Sequence, residues 1–79
     1  LRRMRKGVEY NMIVEIFDHW EYDKKDELII RYKPTTANFK VLDVGNYLII
    51  ENKRYQIDLI EYSYDEDTLR VYCEKAVKI

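Results

Sequence analysis

From Val8 to Tyr22 the chain alternates. Val8, Tyr10, Met12, Val14, Ile16, Trp20 and Tyr22 occupy even positions, with Asp18 the exception. The odd positions are mostly polar, apart from Ile13 and Phe17. A period of two marks a strand with one face buried. A helix would place Val8, Glu9 and Asn11 on one stripe, which is not an apolar face. Fifteen residues exceed the usual strand length, so a bend or bulge near Phe17-Asp18 is expected, splitting the run.

The rest of the chain continues this pattern. Asp23-Lys24-Lys25-Asp26 is a charged turn, and Leu28-Ile29-Ile30-Arg31-Tyr32 a second strand in a hairpin with the first. Pro34 to Asn38 ends it, because proline cannot donate to a central ladder. Phe39 to Leu42 reads as a short strand or a single helical turn. Asp43-Val44-Gly45-Asn46 is turn chemistry, with Gly45 free to take positive φ. Tyr47 to Ile50 is a strand, and Glu51-Asn52-Lys53-Arg54 a hairpin turn in which Asn52 suits the left-handed region. Tyr55, Ile57 and Leu59 are apolar at odd positions, then Ile60, Tyr62 and Tyr64 at even ones. This change of phase predicts a bulge, or a strand passing from the core to a second contact surface. Asp65-Glu66-Asp67 turns the chain, and Leu69, Val71 and Cys73 face inward on the last strand.

The expectation is an all-β, mainly antiparallel fold of about five strands in hairpin order, a small partly open barrel or curled meander. Residues 1–79 form a single domain. So short a chain has a modest core, and the usual staples are missing. Cys73 is the only cysteine, and no Cys/His pattern suits structural zinc. Packing or oligomerisation must then supply stability. Arg2, Arg3, Arg5 and Lys6 put four positive charges in the first six residues, leaving ten basic and fifteen acidic residues in a body of net charge −5. Residues 1–6 read as a flexible basic N-terminus, or as an arm that contacts nucleic acid or an acidic partner. The acidic body argues against a general DNA-coating surface. No apolar run approaches the roughly 20 residues of a membrane helix, so no membrane partner is expected.

Catalytic chemistry finds little footing. The only Ser is Ser63 and the only His is His19, and Ser63 lacks the glycines of a nucleophile elbow. Cys73 alternates with Leu69 and Val71 and reads as a core hydrophobe. Asp18, His19, Glu21 and Asp23 are close in sequence, yet Asp18 and His19 face opposite ways on a strand. Asp65-Glu66-Asp67 lacks calcium-loop spacing and reads as a charged hairpin tip. With only Gly7 and Gly45, no phosphate-cradling loop exists. The expectation is a non-enzyme without cofactor or metal.

The aromatics remain. Trp20, Tyr22, Tyr62, Tyr64 and Tyr72 are candidates for a protein interface. Tyr62, Tyr64 and Tyr72 are expected opposite the core face of their strands, where they could also stack on single-stranded nucleic acid.

Over residues 27–76 the chain resembles the head–tail joining (head-completion or adaptor) proteins of long-tailed phages. The likeness rests on Ile29-Ile30-Arg31-Tyr32-Lys33-Pro34, on the hairpin Tyr47-Leu48-Ile49-Ile50-Glu51-Asn52-Lys53-Arg54-Tyr55-Gln56-Ile57, and on the strand Thr68-Leu69-Arg70-Val71-Tyr72-Cys73-Glu74. Asn52 stands where the family usually has glycine. The resemblance implies a ring-forming virion protein between portal and tail, with no enzymatic activity and with DNA passing through without specific binding. Its place would be the virion or the host cytoplasm. Two other readings stand beside it: a small phage or mobile-element inhibitor that blocks a host nucleic-acid enzyme through an acidic surface, and a small nucleic-acid-binding barrel.

Overall fold

Runs rich in β-branched and aromatic residues become strands, and the turns fall where charged residues, glycine and asparagine cluster. The computed structural model describes residues 8–19 and 25–75. Its elements are β1 (Ile13–Asp18), β2 (Glu27–Tyr32), the one-turn helix α1 (Thr36–Phe39), β3 (Tyr47–Ile50), β4 (Lys53–Ser63) and β5 (Thr68–Lys75). The five strands form one curled half-barrel sheet in the order β2-β1-β5-β4-β3. The small, mainly antiparallel β fold is thus the one the alternation predicts.

The order departs from a simple meander in one respect. β1 and β5 pair in parallel, while β1–β2, β3–β4 and β4–β5 are antiparallel. Burial explains the choice. The β1–β5 ladder sets Val14 beside Leu69 and Ile16 beside Val71, pooling the most apolar faces in the middle of the sheet. Val14, Ile16, Tyr55, Ile57, Leu69, Val71 and Cys73 form the buried core, with Met12, Ile29, Tyr32, Phe39, Leu42, Leu48, Ile50 and Ile60 packed around it.

The long N-terminal alternation keeps its phase but not its span. Val14 and Ile16 are buried as expected, yet β1 begins only at Ile13. Val8 to Tyr10 instead bond to the segment entering α1: Tyr10 N–H donates to the Pro34 carbonyl at 2.8 Å and Thr36 N–H to the Val8 carbonyl at 2.8 Å. The β1–β2 register shifts between Ile16 and Phe17, next to the predicted bend. Helix α1 lies earlier than Phe39–Leu42, because Thr35 and Asn38 form a reciprocal capping box. Thr35 Oγ1 accepts from Asn38 N–H at 3.2 Å, and Asn38 Oδ1 accepts from Thr35 N–H at 2.9 Å.

The β3–β4 turn is tighter than Glu51–Arg54. Ile50 already pairs with Lys53, leaving two turn residues, Glu51 (φ 52°) and Asn52 (φ 68°). Both central residues are left-handed, as a twist-matched two-residue hairpin demands. Gly45 takes φ 95° in the turn before β3.

The phase change in β4 is a bulge. Ile57 pairs with Cys73 and Leu59 with Tyr72, so Asp58 is the additional residue. This corrects the expected placement of Tyr62 and Tyr64. Cross-strand partners share a face, and Ile60 pairs with Val71 and Tyr62 with Leu69. The bulge therefore returns the even residues of β4 to the core face instead of turning them away. Tyr62 is nonetheless 40% exposed.

Candidate functional site

The predicted interface aromatics among the described residues, Tyr62, Tyr64 and Tyr72, do not share one patch. On the core face, the Tyr62 hydroxyl donates to Asp67 Oδ1 at 2.5 Å. Its ring meets Tyr64 edge-on at 4.9 Å between centroids, and Tyr64 is 87% exposed at the start of the β4–β5 turn. The bond to the Asp67 carboxylate raises the Tyr62 phenol above its ordinary pKa, since ionisation would lose the donated proton and set two negative charges together. Tyr72 lies on the opposite face. It stacks on Phe17 and on His19, each at 5.3 Å, and is half-buried. Burial is the main cause of its raised pKa. Trp20, Tyr22, Arg2, Arg3, Arg5 and Lys6 lie outside the described residues.

The convex face is ordered in cross-strand rows. Leu28, Phe17, Tyr72 and Leu59 make an apolar row across β2, β1, β5 and β4. Beside it Arg31, Glu15, Arg70 and Glu61 form a charged row. Glu15 accepts from Arg70 at 3.2 Å and lies 3.3 Å from Arg31, while Arg70 also bonds Glu66.

The groups considered for chemistry are kept apart. Ser63 pairs with Thr68, whereas His19 follows Asp18, the neighbour of Cys73. Strand rise then separates Ser63 from His19 by roughly 15–20 Å. Ser63 Oγ accepts from Glu66 N–H at 3.3 Å, and His19 Nε2 contacts Asp58 Oδ2 at 3.1 Å. Cys73 is fully buried, and burial, reinforced by Asp18 and Asp58, pushes its thiol up to about 11. A buried neutral thiol is a poor nucleophile. In the acidic turn, Glu66 is engaged by Arg70 and Asp67 by Tyr62. Among the described residues, no three His, Cys, Asp or Glu side chains are grouped to hold a metal ion. No helix among them is long and apolar enough to cross a membrane.

Two features were not foreseen. The first is the pair of sheet edges. Among the described residues, β2 and β3 close opposite ends of the sheet, each with a neighbour on one side only. β2 exposes Leu28 (47%) and Ile30 (38%), and β3 exposes Tyr47 (51%) and Ile49 (76%). Arg54 of β4 lies over the Tyr47 ring of β3 at 4.2 Å. The second feature is an open hollow of roughly 420 Å³ lined by Tyr10, Asn11, Met12, Phe39, Tyr62 and Asp67. Edge character follows from strand order, which hairpin signals do not specify. The hollow joins residues from four chain segments, and its only sequence signal was Phe39 lying between strands.

No protein-family model, no curated protein and no solved structure matches the chain.

Proposed function

We propose that the protein is a non-enzymatic structural adaptor that works by self-association, the β2 edge of one copy pairing with the β3 edge of the next. The observation that carries this reading is the open sheet. Among the described residues, the two edges at its opposite ends have no strand partner on their outer side and carry exposed Leu28, Ile30, Tyr47 and Ile49. Exposed apolar edges template pairing with another chain, and proteins that must avoid this protect such edges with lysine, proline or short strands. Pairing two different edges is heterologous, so repeated copies close into a ring when the rotation permits.

The resemblance to phage head–tail joining proteins fits this reading, since such a ring would sit between portal and tail. The acidic body fits as well. A lumen lined by like charge lets DNA pass without holding it. Association would also supplement the small buried core of the described residues.

Sedimentation velocity across a wide concentration range tests the proposal. The expected result is a mass that rises from the 9.7 kDa of one chain to a discrete larger species. Ile49→Lys and Leu28→Lys, made singly, should each shift the protein toward the single-chain mass while leaving the far-UV circular dichroism unchanged. A wild-type chain that stays monomeric at millimolar concentration would overturn the reading. Assembly untouched by both substitutions would overturn the edge assignment.

A further inference from the structure

The hollow at the end of the core face has a definite chemistry. Tyr10 and Phe39 meet edge-to-face with centroids 5.1 Å apart. Tyr62 and Met12, the latter on the chain entering β1, also line it. The one charged group in the lining is Asp67. Its position is fixed twice: the side chain accepts from the Tyr62 hydroxyl, and the backbone carbonyl accepts from Ile13 N–H at 3.2 Å. Donating a proton toward a carboxylate makes the Tyr62 ring more electron-rich, which deepens the negative potential over its face.

We propose that this hollow binds a quaternary ammonium group. Aromatic faces with a nearby carboxylate attract a cation, and a polarisable thioether suits methyl groups. The donor count favours a methylated cation over a primary one. An ammonium carries three N–H donors and a guanidinium five, whereas Asp67 already spends Oδ1 on Tyr62. A quaternary nitrogen has no N–H to satisfy and a thin hydration shell to lose. The open mouth of the hollow and the modest strength of exposed cation–π contacts place the affinity in the millimolar range.

The test is a titration of the isotope-labelled full chain followed by NMR, using choline, its neutral isostere 3,3-dimethyl-1-butanol, and ethanolamine. Choline should give saturable shifts concentrated on Tyr10, Met12, Phe39, Tyr62 and Asp67. The isostere and ethanolamine should each bind about tenfold more weakly. Asp67→Asn keeps a side chain that tolerates the φ of 50° at this position. It should weaken choline several-fold and leave the isostere unchanged. Phe39→Leu, checked for folding by circular dichroism, should weaken choline by about two- to fivefold. Equal affinity for choline and its isostere would overturn the proposal, as would shifts that do not saturate or that fall elsewhere. Indifference of choline binding to Asp67→Asn would also overturn it.

Discussion

Ile57 and Ile49 lie on neighbouring strands of the same sheet, yet Ile57 is 1% exposed and Ile49 76%. The difference is one of place. β4, β5 and β1 fill the middle of the sheet and, among the described residues, supply the strand side chains of the buried core, whereas β2 and β3 close its ends and contribute only partly buried ones. Residue type is nearly constant across this boundary: isoleucine, leucine and tyrosine occur on both sides. Apolar residues in the centre hold the chain together, with Ile29, Tyr32, Leu48 and Ile50 of the edge strands packed around them, whereas Leu28, Ile30, Tyr47 and Ile49 stay exposed.

Truncation tests the boundary most severely. Ile57→Ala should cost about 2–5 kcal/mol, the loss of a buried side chain plus the cavity it leaves. A domain this small has roughly 5 kcal/mol to lose, so a large unfolded fraction is expected even without denaturant. Ile49→Ala removes the same atoms, and in the monomer should change stability by less than about 0.5 kcal/mol. Urea unfolding at low protein concentration measures both. Equal costs would break the distinction between centre and edge.

Alkaline pH probes the centre by a second route. The Cys73 thiol titrates at about 11 in the fold against 9.0 ordinarily. A raised folded-state pKa means that the stabilisation is intact below pH 9 and is lost as pH climbs toward 11, because the unfolded chain releases its proton first. The loss is on the order of 2 kcal/mol. Tyr55 adds to it above pH 10. Its pKa is raised first by burial and then by Asp18, Glu27 and Glu51. Urea midpoints at pH 8 and pH 10 should therefore differ, and Cys73→Ala should remove most of that difference. Its persistence in Cys73→Ala would shift the cause to the tyrosines.

The same boundary marks how far the sequence could be read. Strand positions were legible because burial imposes period two. Val14, Ile16, Leu69, Val71 and Cys73 all lie inside as the alternation requires. The β4 bulge was legible as a change of phase, but its consequence was not. Whether an additional residue turns a side chain away or restores it depends on the partner register, and only the pairing of Tyr62 with Leu69 settles that. The parallel contact of β1 with β5 joins segments more than fifty residues apart, which no local signal encodes. For that reason the exposed edges went unpredicted, since a strand's neighbours define an edge. The capping box at Thr35 and Asn38 was present in the sequence, but the nearby proline suggested only a terminator.

The smallest effect sharpens the comparison at the β3 edge itself. Glu51 and Asn52 both hold positive φ, at 52° and 68°, but they do so at different cost. Asparagine tolerates the left-handed region through local hydrogen bonding, whereas glutamate has no such compensation. Glu51→Gly should therefore stabilise the monomer by about 0.5–1 kcal/mol, net of the entropy glycine adds to the unfolded chain. Asn52→Gly should gain less. If β3 opens independently of the centre, hydrogen exchange should show where the gain falls. Glu51→Gly should slow the amides of the β3–β4 ladder, from Leu48 and Ile50 to Lys53 and Tyr55, and leave those of β1 and β5 nearly unchanged. A uniform slowing across all five strands would instead mean that edge and centre open together as one cooperative unit.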